Sequence, residues 1–329
     1  MAALPGRPAP DDWRPTANWD RLALRSRLLG ELRRFFQERQ FLEVETPLLS
    51  ADVVVDRHLE PFAVEADSPG GGRLWLQTSP EFGMKRLLAA GGQAIYQVTR
   101  AFRRHERGPL HNPEFTLVEW YRRGDGPAEG MQLLSDLVER LLGLGPAARL
   151  SYAQAFTEYA GVEPHSAPVE RLAEAARARG LRRPASLTAS DRDGWLEFLL
   201  VELVQPHLGQ VAPVILYDYP ASQAALAKVR PGPPPVAERF ELFAGGIELA
   251  NGYHELLDPS VLAERGRLAN QERVRAGKRA LPEATRLLEA MEHGLPKCSG
   301  TALGFDRLVM LAAGASVIDE VWSFPIERA

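Results

Sequence analysis

The chain has 329 residues, 45% hydrophobic and 25% charged, with a formal net charge of −4; this is the make-up of a globular protein with a sizeable core, and its bulk charge gives no electrostatic case for nucleic-acid binding. Its one cysteine, Cys298, excludes an internal disulfide and a cysteine-built zinc site and fits a reducing compartment. No apolar run reaches the roughly 18 residues of a membrane span, and residues 1–15, rich in Ala and Pro, lack the apolar stretch of a signal peptide.

Residues 1–18 read as a disordered or extended cytoplasmic tail, and 19–329 as one domain. Helical periodicity covers 19–40, where Leu24, Leu28, Leu32 and Phe36 recur four apart on one face. Residues 41–47 read as extended, because Thr46 precedes a proline. β-Branched and aromatic enrichment predicts strands over 74–77, 94–102 and 114–122, and a Ser-Pro start predicts a helix over 79–90. Residues 131–204 are mostly helical, most clearly at 171–182 and 195–204, and about 150–210 reads as a helical insert. Residues 231–235, Pro-Gly-Pro-Pro-Pro, form a surface connection. Two strands flank Gly245-Gly246, a charged helical region spans 259–293, and a last strand runs into a last helix. Helices mixed with antiparallel hairpins, rather than alternating βαβ units, place the fold in the α+β class.

Chemistry concentrates in three places. The predicted hairpin 100–121 carries arginines, a histidine, an aromatic ring and acids, the parts needed to hold a nucleoside triphosphate beside a small cation. Phe115, Leu117, Glu119 and Tyr121 share a strand face; a buried glutamate there needs a partner, so this is a core strand with one ion pair or the wall of a site. Next, the Gly-Gly turn sets Ala244 opposite Ile247 and Phe243 opposite Glu248. Glu241 then shares a face with Glu248, Cα atoms roughly 7–8 Å apart. Such a pair is a solvated acidic face or, with Mg²⁺ between, a holder of phosphate oxygens. Asn251, Tyr253 and Glu255 alternate on the face opposite Glu248, so one shared ligand requires a β-bulge between Leu249 and Gly252. Finally, Gly300, Ala302 and Gly304 line one face and let a flat ligand approach the backbone. Arg307 at the helix start can stack on a purine; a close-packed strand with a surface arginine is the alternative.

In this order the segments resemble the three signature motifs of class II aminoacyl-tRNA synthetases: the long helix ending in Val44-Glu45-Thr46-Pro47, Phe102-Arg103 through Glu119, and Gly304-Phe305-Asp306-Arg307. His111-Asn112-Pro113-Glu114-Phe115 and Asn251-Gly252-Tyr253-His254-Glu255-Leu256 resemble the lysyl branch, and the likeness runs from about residue 19 to the C-terminus. Lysyl-tRNA synthetases carry an anticodon-gripping barrel before this domain. The residues ahead of the first helix fall short of the roughly 50 that a domain needs. The chain is therefore similar to the elongation factor P–(R)-β-lysine ligase family, which Tyr219-Pro220-Ala221-Ser222-Gln223-Ala224 also resembles.

The resemblance implies a catalytic antiparallel sheet flanked by helices and a cytoplasmic homodimer joined through the first helix and Pro47. It implies an enzyme that uses ATP and Mg²⁺ to activate (R)-β-lysine, or lysine, as an adenylate. The acyl group then passes to a lysine side chain of elongation factor P, with neither tRNA nor membrane as partner. Arg103, Glu241, Glu248 and Arg307 would be the catalytic group. Arg103 would hold the α-phosphate and the substrate carboxylate, Phe115 and Arg307 would sandwich the adenine, and His111 and Asn112 would lie near the phosphates. Arg104, His105, Leu249 and Gly304 complete the nucleotide set, and Glu241 and Glu248 would bind Mg²⁺. Tyr121 and Glu255 would receive the ε-ammonium with Glu119 in support. Ser79, Pro80 and Glu81 would meet the other amino group, and Asn251, Tyr253 and Ala302 would line the substrate pocket.

Ala302 stands where lysyl-tRNA synthetases have the middle of three glycines, and its methyl is expected to favour a β-amino acid, an effect of roughly 1–3 kcal/mol. His105 stands where the second motif has glutamate; either it substitutes, or Glu106 reaches in. Two other readings are a short lysyl-tRNA synthetase-like enzyme charging tRNA and a non-catalytic amino-acid-sensing paralogue. The latter has no chemical need for Arg103, Glu241, Glu248 and Arg307.

Overall fold

Asn18 opens the first helix by accepting the Arg21 N–H on its side chain at 2.9 Å, and Gln40, left-handed at φ 60°, follows its end. A computed structural model of the protein describes residues 13–65 and 72–329. In chain order these form α1 (Trp19–Glu38), β1 (Leu42–Glu43), β2 (Leu49–Ser50), β3 (Ala63–Glu65), β4 (Arg73–Leu76), α2 (Glu81–Ala89), β5 (Ala94–Phe102) and β6 (Glu114–Arg123). Then come α3 (Pro127–Leu142), β7 (Ala148–Ser151), α4 (Tyr152–Ala155), α5 (Val169–Ala178), α6 (Arg192–Leu199), β8 (Val214–Pro220), β9 (Val229–Arg230), β10 (Val236–Ala244) and β11 (Ile247–His254). The chain ends with α7 (Pro259–Arg275), α8 (Thr285–Gly294), β12 (Cys298–Gly304) and α9 (Phe305–Ala312). The class is α+β, with mostly antiparallel strand pairing. No helix among the described residues is long and apolar enough to cross a membrane.

The chain divides into two compact units, the first comprising Met1–Trp120, Ala263–Leu295 and Gly304–Ala329. There α1 buries Leu28, Leu32, Phe35 and Phe36, while Leu24 is half-buried. Phe36 stacks on Tyr96 of β5 with ring centroids 4.4 Å apart. Strands run β1–β5–β6, with β1 parallel to β5 through Leu42↔Ile95. Of the expected extended stretch 41–47 only β1 is strand, its pairing with β5 ending where the Val44 N–H donates to the Tyr96 carbonyl at 2.8 Å. The β5–β6 loop is closed by the Arg103 N–H donating to the Pro113 carbonyl at 2.8 Å. A small antiparallel sheet, β2–β4–β3, packs Trp75 with Val53 and Leu281. Helix α2 starts two residues later than expected, since the Ser79 hydroxyl takes the Glu81 N–H at 3.0 Å and keeps Ser79 outside the helix. Residues 1–12 of the expected tail lie outside the described residues; Thr16 and Ala17 donate N–H groups to the carbonyls of Ser323 and Trp322 at 2.8 and 3.0 Å. The charged region 259–293 is two helices, parted where Gly277 turns left-handed at φ 75°.

The second unit comprises Tyr121–Leu262 and Pro296–Leu303. Its strands run β12–β11–β10–β8–β7, with β9 also on β10 and only β7–β8 parallel. Gly245 and Gly246 both have positive φ, 59° and 73°, the requirement of a tight hairpin turn. The pairs Ala244↔Ile247 and Phe243↔Glu248 follow, as the turn predicts. Helix α3 lies so close to the sheet that a Cβ on Gly130 would come within 2.2 Å of Ser299 Oγ. The helices between 150 and 210 gather Tyr152, Phe156, Leu172 and Trp195 into one core with Leu216, Tyr219 and Phe243 of the strands. Helix α5 stops before left-handed Gly180 (φ 72°), short of the expected residue 182. Helix α6 is regular only to Leu199 and passes into a π-turn, Leu200–Val204, before Pro206.

Candidate active site

In the first unit the strand–loop–strand of β5 and β6 assembles cationic and aromatic groups. The Arg103 guanidinium lies 4.9 Å from the Phe115 ring centroid, and its Nε donates to the Thr78 carbonyl at 3.5 Å. Arg307, in the first turn of α9, donates from Nε to the Leu110 carbonyl at 3.3 Å and places Nη2 2.5 Å from His111 Nε2. Burial, then the charges of Arg307 and Arg103, lower the His111 pKa to about 4. His111 is therefore neutral near pH 7, and its Nε2 accepts from Arg307. Two guanidiniums, a neutral imidazole and a half-buried ring form a surface suited to a flat, polyanionic ligand.

Other predicted residues of this unit take supporting positions. Asn112 is buried with both amide ends in use: its Oδ1 accepts the Ile326 N–H at 3.1 Å and its Nδ2 donates to the Glu114 carbonyl at 2.7 Å. Ser79 Oγ donates to Glu119 at 2.9 Å, and Glu119 is only 2% exposed. Glu81 pairs with buried Lys85 at 2.5 Å, so its charge is already balanced. Pro80 is buried at the start of α2, and Gly304 precedes α9. Arg104 and His105 are exposed, His105 with φ 71°, whereas Glu106 stands 3.8 Å from Arg103. The left-handed step at His105 turns that side chain outward and brings the next acid toward the arginine.

In the second unit the register of β11 and β12 builds an acidic face. Asn251 pairs with Ala302 and Tyr253 with Gly300, so all four share a face. The Asn251 Nδ2 donates to the Tyr253 hydroxyl at 2.9 Å, and its buried Oδ1 has no hydrogen-bond partner. A Cβ on Gly300 would fall 2.2 Å from Tyr121 Cε1 and 2.5 Å from Glu255 Oε1. Bare backbone at 300 is thus what lets Tyr121 and Glu255 lie over the strand. Glu255 is 1% exposed and Tyr121 is buried.

The bulge is present, one residue closer to the turn than expected. Phe243 pairs with Glu248 and Leu242 with Ala250, leaving Leu249 as the extra residue. The glycine turn fixes the first pairs and the Ala250↔Leu303 register fixes the later ones, so the slack falls between them. Beyond the bulge Asn251 pairs with Glu241, which returns Glu248, Asn251 and Tyr253 to one face.

Glu241 has both oxygens engaged: Oε2 accepts the Tyr219 hydroxyl at 2.5 Å, and Oε1 pairs with Arg239. Burial and the Glu241 charge hold the Tyr219 pKa well above its usual range, so this hydroxyl remains a donor. Among the described residues no group of three or more His, Cys, Asp or Glu is placed to hold a metal ion. Mg²⁺ takes one or two carboxylates and fills its remaining positions with water and phosphate oxygens, so the Glu241/Glu248 face fits it with Glu241 shared. Sequence reading missed Arg239, Tyr219, Lys85 and the Gly300 contact. Arg239 was findable, since it sits two residues from Glu241 on one strand, and so was Lys85, four residues from Glu81 on one helix; the Tyr219 and Gly300 contacts join residues distant in sequence.

A family model for class II tRNA synthetases (D, K and N) matches residues 12–328. The chain is 46% identical over 321 residues to the elongation factor P–(R)-β-lysine ligase of Vibrio cholerae, covering 97% of this chain and 99% of that protein. It is 45% identical over 320 residues to the protein of the same name from Yersinia enterocolitica, covering 96% and 98% of the two chains. With that of Proteus mirabilis it shares 44% identity over 321 residues, covering 97% and 98%.

Proposed function

The chain belongs to the class II tRNA synthetase family and within it to the elongation factor P–(R)-β-lysine ligases, and on that premise we propose that it activates (R)-β-lysine with ATP and transfers it to a lysine side chain of elongation factor P. In the first step a substrate carboxylate oxygen bonds to the α-phosphorus, and the bond to the bridging oxygen of the leaving pyrophosphate breaks. In the second, the acceptor amine attacks the acyl carbon and AMP departs. The phosphoryl oxygens gain charge in the first step, and preset cations stabilise that charge most.

Arg103 is assigned the α-phosphate and the substrate carboxylate; Phe115 and Arg307 are assigned the adenine. Neutral His111 holds Arg307 in place without adding a competing charge. Glu241 and Glu248 would hold Mg²⁺, which when bound neutralises phosphate charge. Tyr121 and Glu255 are assigned the ε-ammonium. Glu119, held by Ser79, supports the acidic wall, and the Lys85 pairing leaves Glu81 a weaker claim on the second amine. The observation that supports the reading is the packing of Tyr121 and Glu255 against Gly300, beside Asn251 and Tyr253 on the β11–β12 face. Ala302, paired to Asn251, sets the floor where an α-lysine and a β-lysine differ.

A homodimer is proposed as well, supported by the exposure of Leu42, Leu48 and Leu49 around Pro47. Since the acceptor is a translation factor, the proposed compartment is the cytoplasm.

The test is incubation with labelled (R)-β-lysine, ATP and Mg²⁺, with elongation factor P in one tube and tRNA in another. Label in the factor, together with pyrophosphate release, is the expected result. Label in tRNA would replace the reading with tRNA charging; no pyrophosphate release in either tube would point to a non-catalytic paralogue.

A further inference from the structure

The loop between β5 and β6 carries His111 and Asn112, yet many of its fixings come from the end of the chain. Arg107 is the hub. Its Nε and Nη2 donate to the two Glu327 oxygens at 2.7 and 2.9 Å, and Nη2 also reaches Asp319 at 2.7 Å. Its Nη1 donates to the carbonyls of Gly108 and His111, each at 3.3 Å. Glu327 and Asp319 belong to two short 3-10 turns, Ile326–Arg328 and Ile318–Val321. The same two turns give main-chain N–H groups to the loop: Ile318 to the Pro109 carbonyl at 2.7 Å and Ile326 to Asn112 Oδ1 at 3.1 Å. Between these fixings Gly108 and His111 exchange N–H···O bonds of 3.1 Å in both directions.

The geometry points to a clasp: the C-terminal turns, acting through Arg107, hold the 103–113 loop in its nucleotide-binding form, and Arg107 is a positioning residue that need not touch ATP. This rests on the reading that the loop holds ATP. Three features support it. The Arg107 fork spans the closure of the loop, bonding to both carbonyls at Gly108 and His111. The last turn bonds to Asn112, the neighbour of the histidine that braces Arg307. The Arg107–Glu327 pair is charged across the ordinary pH range, because Glu327 and Asp319 raise the Arg107 pKa and Arg107 in turn lowers that of Glu327. With Arg107 30% and Glu327 56% exposed, such pairs are open to screening by salt.

The test uses the full chain and β-lysine-dependent ATP–pyrophosphate exchange. Arg107→Ala and the double variant Asp319→Asn/Glu327→Gln should each raise the KM for ATP about five- to tenfold, the loss given by one to a few part-exposed charge contacts. The KM for β-lysine and kcat should stay within about twofold, and Arg107→Lys should recover part of the loss. Raising salt from about 0.05 to about 0.5 M should lift the wild-type KM for ATP and move the variants less. Amide hydrogen exchange over residues 104–111 should quicken in Arg107→Ala. The clasp is overturned if that exchange is unchanged, if the KM for ATP is unchanged in both variants, or if both KM values and kcat worsen together with the melting temperature. A wild-type protein without pyrophosphate exchange would sink the adenylation reading instead, and the hydrogen-exchange comparison would still decide the clasp.

Discussion

The groups assigned to the nucleotide hang from a loop and a helix start, whereas those assigned to the amine, Tyr121 and Glu255, pack against Gly300 in the β11–β12 strand pair. Arg103 and Glu106 keep 28% and 29% of their side-chain surface exposed; Glu255 keeps 1%. The first set is positioned by charged hydrogen bonds from other segments and tolerates small shifts. The second is positioned by register, one bulge and one bare glycine, and a close-packed strand pair does not yield to an added methyl. Ligand chemistry suits the division. Phosphates are large, highly charged and well met by flexible arginines, while telling one small amine from another takes a rigid pocket.

The comparison can be broken most forcefully at Glu255. Replacement by Gln keeps the shape and removes the charge; severing a buried ion pair costs about 3–4 kcal/mol, several hundredfold in KM for β-lysine. The KM for ATP should hardly move, and an equal rise in both would show that the two sets are not separable. Gly300→Ala comes next. The new Cβ would meet Tyr121 and Glu255 well inside contact distance, and a displacement of about 1 Å costs roughly a hundredfold in kcat/KM. A variant with normal β-lysine kinetics would show that the strand face gives way after all.

Ala302→Gly sharpens the contrast further. One methyl is worth roughly 1–3 kcal/mol of discrimination, so the ratio of kcat/KM for β-lysine over α-lysine should fall tenfold or more. An unchanged ratio would remove Ala302 from the account of specificity. The smallest effect belongs to the loop. His111 has its pKa lowered to about 4 by burial, then by Arg307 and Arg103. Between that value and its unfolded value of roughly 6.5 the unfolded chain binds more protons than the native one. Its stabilising contribution is complete above the unfolded value and fades as acid is added toward the folded one. Melting temperatures across this window should fall more steeply for the wild type than for His111→Gln, and parallel curves would contradict the assignment.

Much of this was legible in the sequence because it depends on neighbours along the chain. Gly245-Gly246 fixes its own turn and the first two pairs, and residues 94–102, enriched in β-branched and aromatic side chains, form β5. The need for a bulge was readable, because Glu248 and Asn251 differ by an odd number of residues. Its location at Leu249 was not, since pairing with β12 decides it. Likewise the residue that fills the second-motif acid position depends on backbone at His105, whose positive φ no side-chain pattern announces. The Tyr219 hydroxyl on Glu241 illustrates the same limit: an acid can be picked out by type and spacing, but which side chain of a neighbouring strand meets it is decided by pairing and packing.

Leu249 carries a consequence for redesign. It is the spare residue that lets β11 run in two phases, one set by the glycine turn and the other by β12. Removing it would restore an unbroken zigzag in which Glu248 and Asn251 stand two positions apart, so Glu248 would stay on the face of Asn251 and Tyr253 with no bulge. The hairpin tip can therefore be rebuilt as a cassette, provided that additions on each arm come in twos or that an odd one is taken up by a bulge, as Leu249 is.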